Sequence, residues 1–274
     1  MNLKKDFNEG LGTVYERFII NYIFDRLMEQ FEIKEVLEYP IFGMTGIDGI
    51  NSVHLAKKSV NVTLVDFDKD RMEKVRNHWK ILKLESKLRS FIADRHKVDY
   101  LPFQNETFDI VWNFAALWFF KDADKIINKM IDLSRNIVFI SVNNKWQIGY
   151  PIRKYLLDRQ FFVKNTVFTE WINISKIKKI LKNRGLTIIE DGVFDTPPWP
   201  DTCLPINEIK KKLGIKIKEN HNNSWVWSMM AYYAEEDKEL EEKCKKVMFI
   251  ENLPIWWRLK QFWSHHRYVI ARKD

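Results

Sequence analysis

From Leu11 to Phe31 the apolar residues Val14, Phe18, Ile19, Tyr22, Ile23 and Leu27 recur at steps of three and four, the period of a helix with one buried face. Downstream the pattern changes to short apolar runs separated by helical segments. Strands are predicted over Glu35–Tyr39, Asn61–Asp66, Leu88–Ala93, Phe108–Asn113 and Asn136–Val142. Helices are predicted over Gly49–Lys58, with Ile50, Val53, His54 and Leu55 turned inward, and over Lys69–Leu84 and Asp122–Leu133. Strands joined by helices imply a parallel sheet covered on both faces.

Past Val142 the rhythm loosens. Ser175–Asn183 reads as a helix stopped by Gly185, and Leu186–Phe194 as a sixth strand. Thr196-Pro197-Pro198-Trp199-Pro200 then breaks regular structure. Two helices follow, Asp237–Val247 and Pro254–Trp263, and Arg267–Arg272 closes the chain as a strand. The fold expected is α/β: a doubly wound, mostly parallel seven-stranded sheet built from residues 1–196 and 264–274. Residues 197–263 would form an inserted helical and aromatic cap that helps to make the substrate region. The rival assignment puts the last strand at Trp225–Tyr233 and leaves a C-terminal tail.

Several strands end on residues suited to a nucleotide. Asp66 closes the second, Asp94 follows the third, and Asn113 closes the fourth. Ligands of open α/β sheets bind off the carboxyl ends of the strands. There a carboxylate after the second strand can accept from ribose hydroxyls, and one after the third from the exocyclic amine of a base. The array reads as an adenosine site, although each carboxylate taken singly also suits a helix cap. Glu38 has the alternative of bracing its loop by accepting backbone amides.

Composition narrows the class. With 274 residues and 46% hydrophobic content the chain can bury a substantial core. No apolar run is long enough to span a bilayer, and Met1-Asn2-Leu3-Lys4-Lys5-Asp6 turns polar too early for a secretion signal. Cys203 and Cys244 form neither a disulfide framework nor a metal pattern, so a cytoplasmic setting is expected. The net charge of +8 is concentrated: residues 151–218 hold 14 Lys and Arg against 7 Asp and Glu. Such a region is either solvated helix surface or a field for acidic partners, RNA included.

Beyond these readings, the chain resembles the class I S-adenosylmethionine-dependent methyltransferases, with their Rossmann-like fold. The resemblance is carried by Ile92-Ala93-Asp94, Leu101-Pro102-Phe103 and Phe108-Asp109-Ile110-Val111 in succession, by Val62–Asp66, and by the closing run Tyr268–Lys273. Tyr15-Glu16-Arg17-Phe18 also resembles the helix that folds over the cofactor's amino-acid end in that family. The resemblance implies S-adenosylmethionine as cofactor, with Asp66 on the ribose and Phe67 beside the adenine face. Asp94 and the Arg95 backbone would meet the adenine amine, with Asn113 and Phe114 beneath the methionine portion and Tyr15 over its end. The glycine loop departs from the family pattern: Pro40 follows Tyr39, and the glycines come late, at Gly43, Gly46 and Gly49, with Gly43 and Gly46 serving the cofactor after a lengthened turn.

The acceptor is expected to be a small molecule, apolar or aromatic, because many of the eleven tryptophans lie late in the chain. Trp118, Tyr150 and His221 are the candidate substrate contacts, and no catalytic base is assigned. Methyl transfer asks for alignment and exclusion of water more than for acid–base groups. Asn113 is followed by Phe-Ala-Ala and not by the Pro-Pro-aromatic run of methyltransferases that act on exocyclic base amines, so the resemblance favours a small acceptor over nucleic acid. No metal is expected, since His265 and His266 are adjacent and neighbouring strand residues face opposite sides. Trp256-Trp257-Arg258 with Phe262 and Trp263 also suits peripheral contact with a membrane. Three other functions stay open: a non-catalytic methyltransferase-like partner subunit, an RNA methyltransferase, and a short-chain dehydrogenase. The last rests on Tyr150 and Lys154 at Tyr-x-x-x-Lys spacing. The sequence does not specify an oligomeric state.

Overall fold

The computed structural model describes residues 2–41, 46–157, 162, 167–197 and 226–273. After the short α1 (Leu3–Asp6) comes the long α2 (Leu11–Gln30), whose buried stripe includes Val14, Phe18, Ile20 and Phe24. The first half then runs β1 (Glu35–Glu38), α3 (Val53–Lys57), β2 (Asn61–Asp66), α4 (Lys69–Ile81) and β3 (Leu88–Ile92). The second half runs β4 (Phe108–Phe114), α5 (Ala123–Leu133), β5 (Ser134–Asn143), α6 (Gly149–Ile152), α7 (Ile174–Asn183) and β6 (Thr187–Phe194). Among the described residues three short helices follow, α8 (Met229–Tyr233), α9 (Leu240–Lys245) and α10 (Trp257–Lys260), before β7 (His266–Arg272).

The seven strands among the described residues form one sheet in the order β3-β2-β1-β4-β5-β7-β6. The pairs among β1 to β5 are parallel, and β7 runs antiparallel to both β5 and β6. The chain steps outward from β1 to β3 and then restarts at β4 on the other side of β1. That reversal opens a crevice at the carboxyl ends of β1 and β4, where an open α/β sheet receives its ligand.

Strand alternation divides the core. Ile110, Trp112 and Phe114 of β4 face the layer of α2, α3 and α4, while Val111 faces α5 and α7, joined there by Phe108 because the register shifts between Phe108 and Ile110. Trp112 stacks on Phe139 of β5 at 5.8 Å between centroids, and Phe24 of α2 meets Trp112 edge-on at 4.9 Å. α2 is thereby fixed across the middle of the sheet, with its N-terminal turns near the crevice.

Several expected elements are shorter. The helix expected from Gly49 begins only at Val53, because Gly46 and Gly49 stand at φ +77 and +74 and keep the chain in turns. His54 of that helix is not turned into the core but pairs with Asp25 at 2.8 Å. Met229–Tyr233 is helical, so the rival last strand over Trp225–Tyr233 does not form. α8 and α9 pack on α2 through Asn21 Nδ2 donating to Tyr233 (2.9 Å) and through Tyr22 and Tyr232 both donating to Glu241 (2.9 and 2.7 Å). Among the described residues no helix is long and apolar enough to cross a membrane.

Candidate active site

The turn after β1 is fastened from below. Glu38 is fully buried and accepts from Asn51 Nδ2 (3.1 Å) and the Ser52 hydroxyl (2.6 Å), and Ser52 in turn accepts from Trp112 Nε1 (3.1 Å). Glu38 therefore braces the loop through side chains, not through the backbone amides expected of it. Burial pushes its carboxyl up to about 7, against the Ser52 and Asn51 hydrogen bonds. Gly49 cannot carry a side chain here: a Cβ would lie 2.8 Å from both methyls of Val75, and Trp79 Nε1 donates to the Gly49 carbonyl at 3.0 Å. Gly43 lies outside the described residues. Gly46 sits against the start of α2, where a Cβ would come within 3.1 Å of Glu9, Thr13 and Arg17.

Asp66, at the end of β2, is 2% exposed. Its Oδ1 accepts from the backbone of Phe67 (2.7 Å) and Asp68 (2.9 Å), and Arg71 Nη1 donates to both oxygens at 2.9 and 2.8 Å. Burial raises this carboxyl above the usual carboxylate range, and the Arg71 charge works against that. The crowding falls on Oδ1. Oδ2 carries Arg71 alone and keeps a lone pair for one hydroxyl. Phe67 packs between Tyr39 and Phe120, with centroids 5.9 and 5.2 Å away. Asp94 is exposed and caps its own turn by accepting from the His96 backbone at 2.8 Å, while Arg95 lies over the Phe120 ring at 5.5 Å.

Asn113, at the β4 end of the crevice, is fully buried with its amide committed. Nδ2 donates to the carbonyls of Tyr39 (3.2 Å) and Pro40 (2.9 Å), and Oδ1 accepts from the Ala116 backbone at 3.3 Å. Its visible work is to clamp the β1 turn to β4. Phe114 stands on the opposite strand face beneath Arg17, whose guanidinium carbon is 5.3 Å from the ring centroid. Arg17 is 2% exposed, pairs with Glu16, and has its Nε buried without a partner. A buried cation with an unused donor, beside Gly46 and above Phe114, suits the carboxylate of an amino-acid moiety. Tyr15, one residue earlier, is fully buried and donates to Glu251 at 3.1 Å.

The substrate candidates divide in the same way. Trp118 follows β4 and Tyr150 follows β5, and both rings pack on Phe162, at 6.2 and 5.8 Å. His221 lies outside the described residues. His265 and His266, expected from their adjacency not to ligate a metal together, belong to a cluster on the α2 face. His266 Nε2 meets Glu16 Oε2 at 2.9 Å, His265 Nδ1 meets Asp195 Oδ2 at 2.9 Å, and His266 lies 3.8 Å from that same oxygen. The adjacent histidines can both approach Asp195 because β7 begins only at His266, so strand alternation does not separate them. These residues come from far-apart segments, and no local spacing links them.

The cofactor expected from the sequence fits these residues. One open acceptor position on Asp66 and an unused donor on Arg17 match a ribose hydroxyl and a carboxylate. Residues 44–136 match the family described as "Methyltransferase domain". No curated protein matches. Among solved structures, a sarcosine dimethylglycine methyltransferase described as putative, from Galdieria sulphuraria, is similar with TM-score 0.55 and 11% identity, over 94% of this chain and 85% of that one. A SAM-dependent methyltransferase from Archaeoglobus fulgidus gives TM-score 0.51 and 15% identity over 94% of each chain. The cyclase SpnF gives 0.53 and 11% over 93% and 81%. At such identities the structural likeness speaks for the fold alone. The family match over residues 44–136, about a third of the chain, and this strand order agree with the fold and cofactor that the sequence resemblance implies.

Proposed function

We propose that the chain methylates a small apolar or aromatic acceptor, and that residues 197–263 help to close the acceptor side. The observation that carries this reading is the meeting of Trp118 and Tyr150 around Phe162, just beyond the carboxyl ends of β4 and β5. Arg153 lies over the same ring at 5.7 Å, so the wall is aromatic with a cation behind it. Trp118 is buried and Tyr150 half-buried, as suits the lining of a pocket that excludes water.

When bound, S-adenosylmethionine supplies an electrophilic methyl group on sulfur. The chain's own part is to hold and align. On this reading Asp66 accepts one ribose hydroxyl, Arg17 takes the carboxylate, and Phe114 provides an apolar floor. The shared role of α2 in clamping the cap helices and carrying Arg17 supports a cap that orders together with the cofactor side. Trp256, Leu259 and Phe262 of the same cap are exposed, the arrangement that peripheral membrane contact would use.

The test is a screen of the purified protein with labelled S-adenosylmethionine against small phenols and amines, RNA and protein substrates. Turnover with an aromatic small molecule is expected. Trp118→Ala should raise KM for that acceptor by about tenfold, the effect of losing 1–2 kcal/mol of apolar contact, and leave cofactor affinity within about twofold. Turnover confined to RNA would overturn the reading.

A further inference from the structure

Among the described residues one grouping of three brings metal-ligating atoms together: Glu16, Asp195 and His266 each offer one, all within 4.8 Å of one another. Glu16 Oε2 lies 2.9 Å from His266 Nε2, and Asp195 Oδ2 lies 3.8 Å from it. Arg17 holds the other oxygen of Glu16, Oε1, and His265 Nδ1 pairs with the same Asp195 Oδ2 that faces His266, at 2.9 Å.

The grouping is buried, and its polar atoms are not all satisfied. Asp195 is 2% exposed, yet its Oδ1 has no hydrogen-bond partner, nor has His266 Nδ1. Asp195 also stands at φ +61, a left-handed backbone that costs a non-glycine residue about 1 kcal/mol or more. A strained backbone thus delivers a carboxylate into a buried place where one of its oxygens bonds to nothing. Each unsatisfied buried polar atom needs a physical reason.

We propose that Glu16, Asp195 and His266 bind one divalent first-row cation of the zinc, manganese or iron kind. Metal–ligand bonds of about 2.0–2.2 Å set neighbouring ligand atoms about 3–3.5 Å apart, between the two separations measured here. One imidazole with two carboxylates is a borderline donor set, which selects these ions over the hard all-oxygen cations and over copper(I). The second oxygen of Asp195 then gains a partner through bidentate ligation, and the cation takes the place of the proton on His266 Nε2. Arg17 and His265 become the residues that orient the ligating carboxylates. Water fills the remaining positions, since three protein ligands leave the coordination open. The site lies beside the crevice: the His266 ring is 4.9 Å from that of Phe114 and stacks on Phe194 at 5.2 Å.

The test uses the full chain stripped with a chelator and titrated with Zn²⁺, Mn²⁺ and Co²⁺ by calorimetry, the Co²⁺ complex also by its visible ligand-field bands. One equivalent is expected to bind. Asp195→Asn and His266→Gln should each weaken binding by about 100-fold or more and abolish the Co²⁺ bands. His265→Ala should weaken it by about tenfold, as loss of an orienting partner does. His54→Ala, at the separate ion pair with Asp25, should leave it unchanged. Circular dichroism checks that each variant is folded, and Glu16→Gln provides the same test if either of the first two is not. Absence of stoichiometric binding overturns the proposal. So does binding that survives Asp195→Asn and His266→Gln, which would leave the cluster as an ion pair and the metal elsewhere.

Discussion

At the scale of single residues, the chemistry depends on which polar groups are already engaged. Asp66 is where the sequence puts it, at the tip of β2, but Arg71 occupies much of its capacity, and no strand pattern foretells that. Asn113 was legible as a strand-end polar residue, while its partners, the Tyr39 and Pro40 carbonyls, depend on how the β1 turn folds back. Arg17 was visible only as part of a helix, and its burial beside Phe114 is a tertiary fact. Glu38 gives a pH-dependent signature. Its carboxyl is raised from 4.5 to about 7 by burial, so the native state holds a proton that the unfolded chain gives up earlier. The resulting stability is fully present below about pH 4.5 and is lost as pH rises through about 7, on the order of 3 kcal/mol in all. The stability difference between wild type and Glu38→Gln, followed by urea denaturation from pH 4 to 8, should drift by that order in favour of the variant as pH rises. A flat difference would contradict the assignment.

At the scale of elements, the strands were legible and the loops were not. β2 and β4 are continuous apolar runs bounded by polar residues, and such patterns survive tertiary packing because both sheet faces are covered. The helix expected over Gly49–Lys58 lost its first turn because two glycines adopt positive φ, and sequence alone does not reveal which glycines will do so. Gly49 is the more demanding of the two. Gly49→Ala meets both Val75 methyls as well as the backbone penalty and should destabilise by about 2–3 kcal/mol. Adding Val75→Ala relieves the clash but not the φ strain. The double variant should therefore lose less than the sum of the two single ones, read by thermal denaturation. Strict additivity would mean that the loop moves to avoid Val75.

At the scale of the whole molecule, the fold gathers the candidate site residues along one sheet edge. The reversal between β1 and β4 opens the crevice, and antiparallel β7 returns the chain so that His266 lies across from Asn143 and Phe194. That return is why the Glu16, Asp195 and His266 grouping was illegible in the sequence. Its members meet only when α2, the end of β6 and the start of β7 close on one another, an arrangement that no local spacing records. α2 is common to all of it, bearing Arg17 toward the crevice and receiving α8 and α9 through Asn21 and Tyr22. The central claim is that this edge holds S-adenosylmethionine despite its late glycines and the Arg71 pair on Asp66. Calorimetry with S-adenosylhomocysteine tests it most directly. The expected result is one site of micromolar affinity, weakened by at least about tenfold in Asp66→Asn and in Arg17→Met, each losing a charge-assisted hydrogen bond worth about 1.5–3 kcal/mol. No binding at millimolar ligand, or binding indifferent to both substitutions, would contradict it.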